Sequence, residues 1–105
     1  MAKPVKNHVI YRPKKGKEKE LQALVMKHGP ALMRSGLIVD GPPVVYRAHN
    51  IRTNEDFFVE MFSWRDDKAA NLAHQTPEIM AVWEPMTPIL ESLEISVVEP
   101  MSDAE

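Results

Sequence analysis

Few residues in this chain combine a reactive side chain with a setting that could use it: His28, Glu60, Trp64 and His74. Glu60 lies inside FFVEMFSW, residues 57–64, where alternation places it on one face with Phe58, Phe62 and Trp64. A carboxylate among aromatics must find a partner, hold its proton or reach water. His28 falls seven residues after Leu21 on an apolar helical stripe, so it faces the core or a cavity between helix and sheet. If Glu60 faces the same space, the two can approach each other and hold a proton for transfer to a ligand. The plainer alternative is a hydrogen-bonded core histidine. On a continuous helix His74 would point nearly opposite Leu72 and Ile79, towards solvent, although a restart at Pro77 makes that phase unsafe. Trp64 and Trp83 are expected as core aromatics unless a cavity opens beside them.

The elements that must position these residues follow from periodicity. Val5, Asn7, Val9 and Tyr11 share one face of a strand over 5–12. Leu21, Leu24, Val25 and Leu32 mark an amphipathic helix over 17–35, interrupted beside His28 by Gly29-Pro30 and ended by Gly36. Asp40-Gly41-Pro42-Pro43 reads as a loop before a strand over 44–49, and a polar turn at 53–56 joins that strand to 57–64 as a hairpin. Asp66 or Asp67 is the expected N-cap of a helix over 67–75. Thr76-Pro77 starts a second piece over 77–86, which Pro85 and Pro88 stop before a last strand around 92–97. The order is βαββαβ, the ferredoxin-like α+β arrangement with an antiparallel sheet and both helices on one face. Phe57, Val59 and Met61 make the other face of their strand apolar as well, and a homodimer closing sheet to sheet would cover it.

Composition narrows the chemistry. With 105 residues, 44% hydrophobic and 27% charged, the chain is sized for a single globular domain, expected over 1–98 with a flexible tail at 99–105. It has no cysteine, which excludes disulfides, thiolate nucleophiles and cysteine-ligated metals. A net charge of -2 offers no electrostatic case for nucleic acid or an anionic membrane. No apolar run is long enough to span a bilayer and the start MAKPVKNH is too polar for a signal peptide, so a cytoplasmic protein is expected. KKGKEKE is a solvated helix start, not a phosphate loop, and His8, His28, His49, His74 and Glu60 show no metal-binding spacing.

The strand end Glu60-Met61-Phe62-Ser63-Trp64-Arg65-Asp66, followed by Ala73-His74-Gln75-Thr76-Pro77 and by Trp83, resembles the antibiotic-biosynthesis-monooxygenase domain of the dimeric α+β barrel superfamily. The resemblance implies a homodimer and, for its oxygenase members, oxidation of a phenolic or quinol substrate by dioxygen without metal or organic cofactor. A deprotonated aromatic can itself donate the first electron, so the protein supplies a base, a hydrogen bond to the oxyanion and a dry cavity. Trp64 matches the family's strand tryptophan, and His74 belongs to its alanine-histidine signature. Where some oxygenase members carry asparagine this chain has Glu60, which opposes a phenolate but can serve as the base. The candidate catalytic set is therefore His28, Glu60, Trp64 and His74, with no cofactor and a small aromatic ligand. A non-catalytic binding or structural dimer is the alternative. A haem-degrading relative would use a first-strand asparagine with a tryptophan and a histidine of the second helix. Asn7, Trp64 and His74 supply the types, but Trp64 on a strand and the lack of a histidine near Trp83 count against the register.

Overall fold

The computed structural model describes residues 3–101. Strand β1 spans Val5–Pro13, helix α1 Glu18–Ser35, strand β2 Ile38–His49 and strand β3 Asp56–Trp64. Helices α2, Ala69–Ala73, and α3, Pro77–Met86, follow. A 3-10 turn at Thr87–Ile89 then leads into strand β4, Leu90–Val97. The sheet order is β2-β3-β1-β4 with every neighbour antiparallel, so the expected ferredoxin-like α+β fold is present. Of the tail expected at 99–105, residues 102–105 lie outside the described residues.

Register explains the core. Asn7, Val9 and Tyr11 of β1 stand opposite Phe62, Glu60 and Phe58 of β3, so all six share one face of the sheet. That face meets Leu21, Val25 and Leu32 of α1 and Ile79 and Val82 of α3. Leu21, Leu32 and Ile79 are fully buried, each contributing roughly 1.5–3 kcal/mol relative to exposure. On the opposite face Val44 and Tyr46 of β2 are about half exposed, beside the half-buried Phe57, Val59 and Met61.

Several local expectations change. Residues 40–43 do not precede β2 but form an irregularity within it, between Val39 and Val44. Asp40 and Gly41 have φ of 65° and 89° there, the turn geometry their types favour, and the two prolines are tolerated because β2 is an edge strand. Helix α1 runs through Pro30 without interruption. Proline leaves the Met26 carbonyl without its helical donor, but Ala31 and Leu32 are buried and hold the next turn on the core. Gly36 ends the helix at φ 71°, its N–H reaching the Met33 carbonyl. Asp66 caps a turn ahead of α2, accepting the Lys68 N–H at 2.9 Å, and the helix itself starts later, at Ala69. Thr76 does not cap α3; its hydroxyl donates back to the Leu72 carbonyl at 2.9 Å. Pro85 lies inside α3, which ends one residue later.

Candidate functional site

Four side chains from four elements converge between helices and sheet. Tyr11 of β1 and Glu60 of β3 come from neighbouring strands on the inner face, His28 from the middle of α1 and Trp83 from α3. The Tyr11 hydroxyl donates to Glu60 Oε1 at 2.5 Å. His28 Nδ1 lies 2.8 Å from the same oxygen and 3.4 Å from the Tyr11 hydroxyl. On the ring's other side, Trp83 Nε1 donates to His28 Nε2 at 2.8 Å.

These contacts assign the protons. An indole N–H can only donate, so His28 Nε2 must accept and carries no hydrogen. Nδ1 then holds the ring's proton and donates it to Glu60, leaving His28 neutral. Two donors converge on Oε1 of Glu60, the pattern of an acceptor-only carboxylate oxygen. Its other oxygen, Oε2, has no partner among the described residues, although Glu60 is 0% exposed. Burial first, then the Glu60 charge and the hydrogen bond to it, hold the Tyr11 phenol well above its ordinary 10.0.

In front of this cluster lies a cavity of about 310 Å³, within the size range of small-molecule sites. Its polar and aromatic wall is formed by Asn7, Tyr11, His28, Trp64, His74 and Trp83, and its apolar wall includes Val9, Phe62 and Leu90. Leu93 and Ile95 of β4 border it while remaining 46% and 60% exposed, so the cavity opens past the β4 edge. Glu60 does not line it and meets it only through Tyr11 and His28. Asn7 is 7% exposed and its Oδ1 has no partner among the described residues, leaving an acceptor on the wall for a ligand.

The predicted residues thus sort by depth. His28 and Glu60 touch directly rather than across open space. Trp64 stands edge-on to Phe62, ring centroids 4.9 Å apart. His74 is exposed and sits at the rim, its ring centroid 4.9 Å from that of Trp83. Its Nδ1 donates to the Ala70 carbonyl at 2.9 Å, which leaves Nε2 as the acceptor of the neutral ring. Asn7, Trp64 and His74 line one cavity and His74 lies beside Trp83, which removes one half of the register objection to that trio; the other half stands, because Trp64 belongs to β3 and not to a helix. Tyr11 and Trp83 were not singled out as partners of the cluster. A tyrosine on the inward face Asn7, Val9, Tyr11 is itself a signal, since its buried hydroxyl needs a partner. Among the described residues no group of three or more histidines and carboxylates is placed to hold a metal ion.

No protein-family model and no curated protein sequence matches the chain. Solved structures do match it in fold. SnoaB, a cofactor-independent oxygenase from Streptomyces nogalater determined as a point mutant, has a TM-score of 0.72 and 13% identity, covering 98% of each chain. Rv0793 from Mycobacterium tuberculosis has a TM-score of 0.72 and 15% identity over 98% of this chain and 100% of that one. A Bacteroides thetaiotaomicron protein provisionally described as an antibiotic biosynthesis monooxygenase has a TM-score of 0.71 and 14% identity over 97% and 93%. The fold is therefore that of antibiotic-biosynthesis-monooxygenase-like domains. Identities this low carry the fold alone.

Proposed function

We propose that the chain is a cofactor-independent monooxygenase that binds a small aromatic or quinol-like metabolite in the cavity before Tyr11, and that it works as a cytoplasmic homodimer. One observation carries this reading: a buried carboxylate behind a largely apolar cavity is linked to it by a tyrosine hydroxyl 2.5 Å away, with His28 as its other contact. A substrate hydroxyl would pass its proton to the Tyr11 oxygen while the Tyr11 proton moves to Glu60. Glu60 becomes neutral as the substrate becomes anionic, so the charge conflict raised by the carboxylate disappears at the moment the aromatic anion forms. That anion gives one electron to dioxygen, and the resulting phenoxyl radical and superoxide combine into a carbon-bound peroxide; it takes back the proton held on Glu60 through Tyr11, and breaking its O–O bond with the C–H bond at the same carbon releases water and leaves a quinone. Trp64 and Phe62 supply the dry wall, and Asn7 a hydrogen bond to the substrate.

Oxygen uptake with candidate quinols, read beside thermal melting, tests the reading. Glu60→Gln and Tyr11→Phe should each lower turnover by at least about a hundredfold while remaining folded. Uptake that is absent with every quinol leaves a non-catalytic binding or structural dimer, and uptake unchanged in both variants removes Tyr11 and Glu60 as the proton relay. The homodimer is supported by the apolar outer sheet face around Val44, Tyr46 and Val59, and light scattering should give twice the 12.0 kDa of the chain.

A second reading, haem binding, is favoured by His74, whose free Nε2 stands at the rim of the cavity that Asn7 and Trp64 also line. Histidines that ligate metal donate their other N–H to a carbonyl in this way. The volume fits one aromatic ring system, so a tetrapyrrole would have to use the open side past Leu93 and Ile95. Hemin titration decides it: a Soret shift in the wild type that His74→Ala abolishes supports haem, and no shift removes it.

A further inference from the structure

The wall of the cavity carries no lysine, arginine, aspartate or glutamate, yet Glu60 stands directly behind it. The two side chains hydrogen-bonded to that carboxylate are both neutral: Tyr11 donates its hydroxyl proton, and His28 is held in the uncharged Nδ1–H form by Trp83. No ion pair to a lysine or arginine offsets Glu60 among the described residues. The carboxylate is fully buried, where water would screen a charge on it little, so in its ionised form its field extends into the adjoining cavity.

The remaining wall complements a positive charge. Trp64, Phe62, His28, Trp83 and His74 form an unbroken arc of rings, successive centroids lying 4.9, 6.0, 5.8 and 4.9 Å apart. Aromatic rings attract cations through their quadrupole, most strongly where water is excluded. The hydrogen-bonding capacity points the same way: Asn7 Oδ1 is a buried acceptor without a donor, and the Tyr11 oxygen, its hydrogen committed to Glu60, can only accept from a ligand.

We infer that this cavity selects an organic ammonium ion, an aromatic amine-bearing metabolite in its protonated form, over ligands that arrive as phenolates or carboxylates. The ammonium N–H groups donate to Asn7 Oδ1, the rings enclose the hydrocarbon, and Glu60 supplies the countercharge from behind. The inference rests on the cavity being the ligand site proposed above. It narrows the substrate class to aromatics that carry an amine and still hold their hydroxyl proton on entry.

Three probes of similar shape isolate charge: 2-phenylethylammonium, 2-phenylethanol and phenylacetate, titrated calorimetrically at pH 7 into the full chain. The ammonium should bind about tenfold more tightly than the alcohol, and the carboxylate most weakly. In Glu60→Gln, which keeps an acceptor for Tyr11 and His28, ammonium and alcohol should come within about twofold of each other. If that variant does not fold, the wild-type order decides alone. An alcohol or carboxylate binding as tightly as the ammonium overturns the inference, as does a preference that survives Glu60→Gln. Binding of the alcohol without charge preference would leave the ligand site standing, whereas no binding by any probe would remove both.

Discussion

Among the described residues two histidine–carboxylate contacts have nearly equal length, and they do opposite things. In the interior His28 lies 2.8 Å from Glu60; at the tip of the β2–β3 hairpin His49 lies 2.7 Å from Asp56. His49 Nε2 also faces Asn54 Oδ1 at 3.1 Å, so both ring nitrogens meet acceptors and the imidazolium satisfies both. His28 meets one acceptor and one donor, and the neutral ring satisfies both. Distance to the carboxylate does not set the histidine's charge. The partner of the second nitrogen does, and burial sets how much the arrangement is worth.

The largest effect should come from breaking the interior pair. Glu60→Ala leaves the neutral His28 Nδ1–H and the Tyr11 hydroxyl without partners in a dry site, and at about 1–3 kcal/mol for each unpaired donor should cost about 2–6 kcal/mol in chemical denaturation. A loss below about 1 kcal/mol would show that the cluster reaches water.

Removing the donor that sets His28's tautomer should cost less. Trp83→Phe keeps most of the ring's packing but deletes the N–H, for a loss of roughly 1 kcal/mol. Its clearer signature is nitrogen NMR: wild-type His28 should show the Nδ1–H tautomer, and the variant a mixture. A wild-type Nε2–H signal would contradict the proton assignment.

Base titration sharpens the contrast in the same cluster. Tyr11 is held well above 10.0 chiefly by burial and then by Glu60, so it stays protonated where the unfolded chain ionises. A group raised on folding contributes stability that is complete below its unfolded value and is lost as pH climbs through the folded one. Stability should therefore fall above about pH 10, and the fall should be smaller in Tyr11→Phe.

The smallest effect belongs to the exposed pair. The hydrogen bonds to Asp56 and then Asn54 raise His49 above its ordinary 6.5, outweighing the opposing effect of desolvation. Its contribution is present in acid and disappears as pH rises through the raised value. Proton NMR should find His49 titrating above 6.5, and Asp56→Asn should bring it back with no resolvable change in melting temperature.

These contrasts separate what was legible in the residues from what was not. Alternation alone placed Glu60 on one face of β3 with Phe58, Phe62 and Trp64, and helical spacing placed His28 on the inner stripe of α1; that this strand face is the inner one was decided by packing, because Phe57, Val59 and Met61 make the other face apolar too. The βαββαβ order and the β2–β3 hairpin were legible too, although the turn expected at 53–56 spans 50–55. Local signals misled where tertiary contacts overruled them: Pro30 reads as a break, yet buried Ala31 and Leu32 carry α1 past it, and residues 40–43 read as a loop, yet β3 pairs with β2 on both sides of them. The identity of each partner lay beyond any sequence period. Tyr11, His28, Glu60 and Trp83 are separated by up to 55 residues between directly bonded members, and hydrogen-bond direction depends on atoms meeting within 3 Å. That His28 is neutral, that Glu60 stands behind the cavity wall rather than in it, and that Asn7 joins Trp64 and His74 around one space were decided only when four elements closed on each other. Periodicity specifies faces, and only packing specifies neighbours.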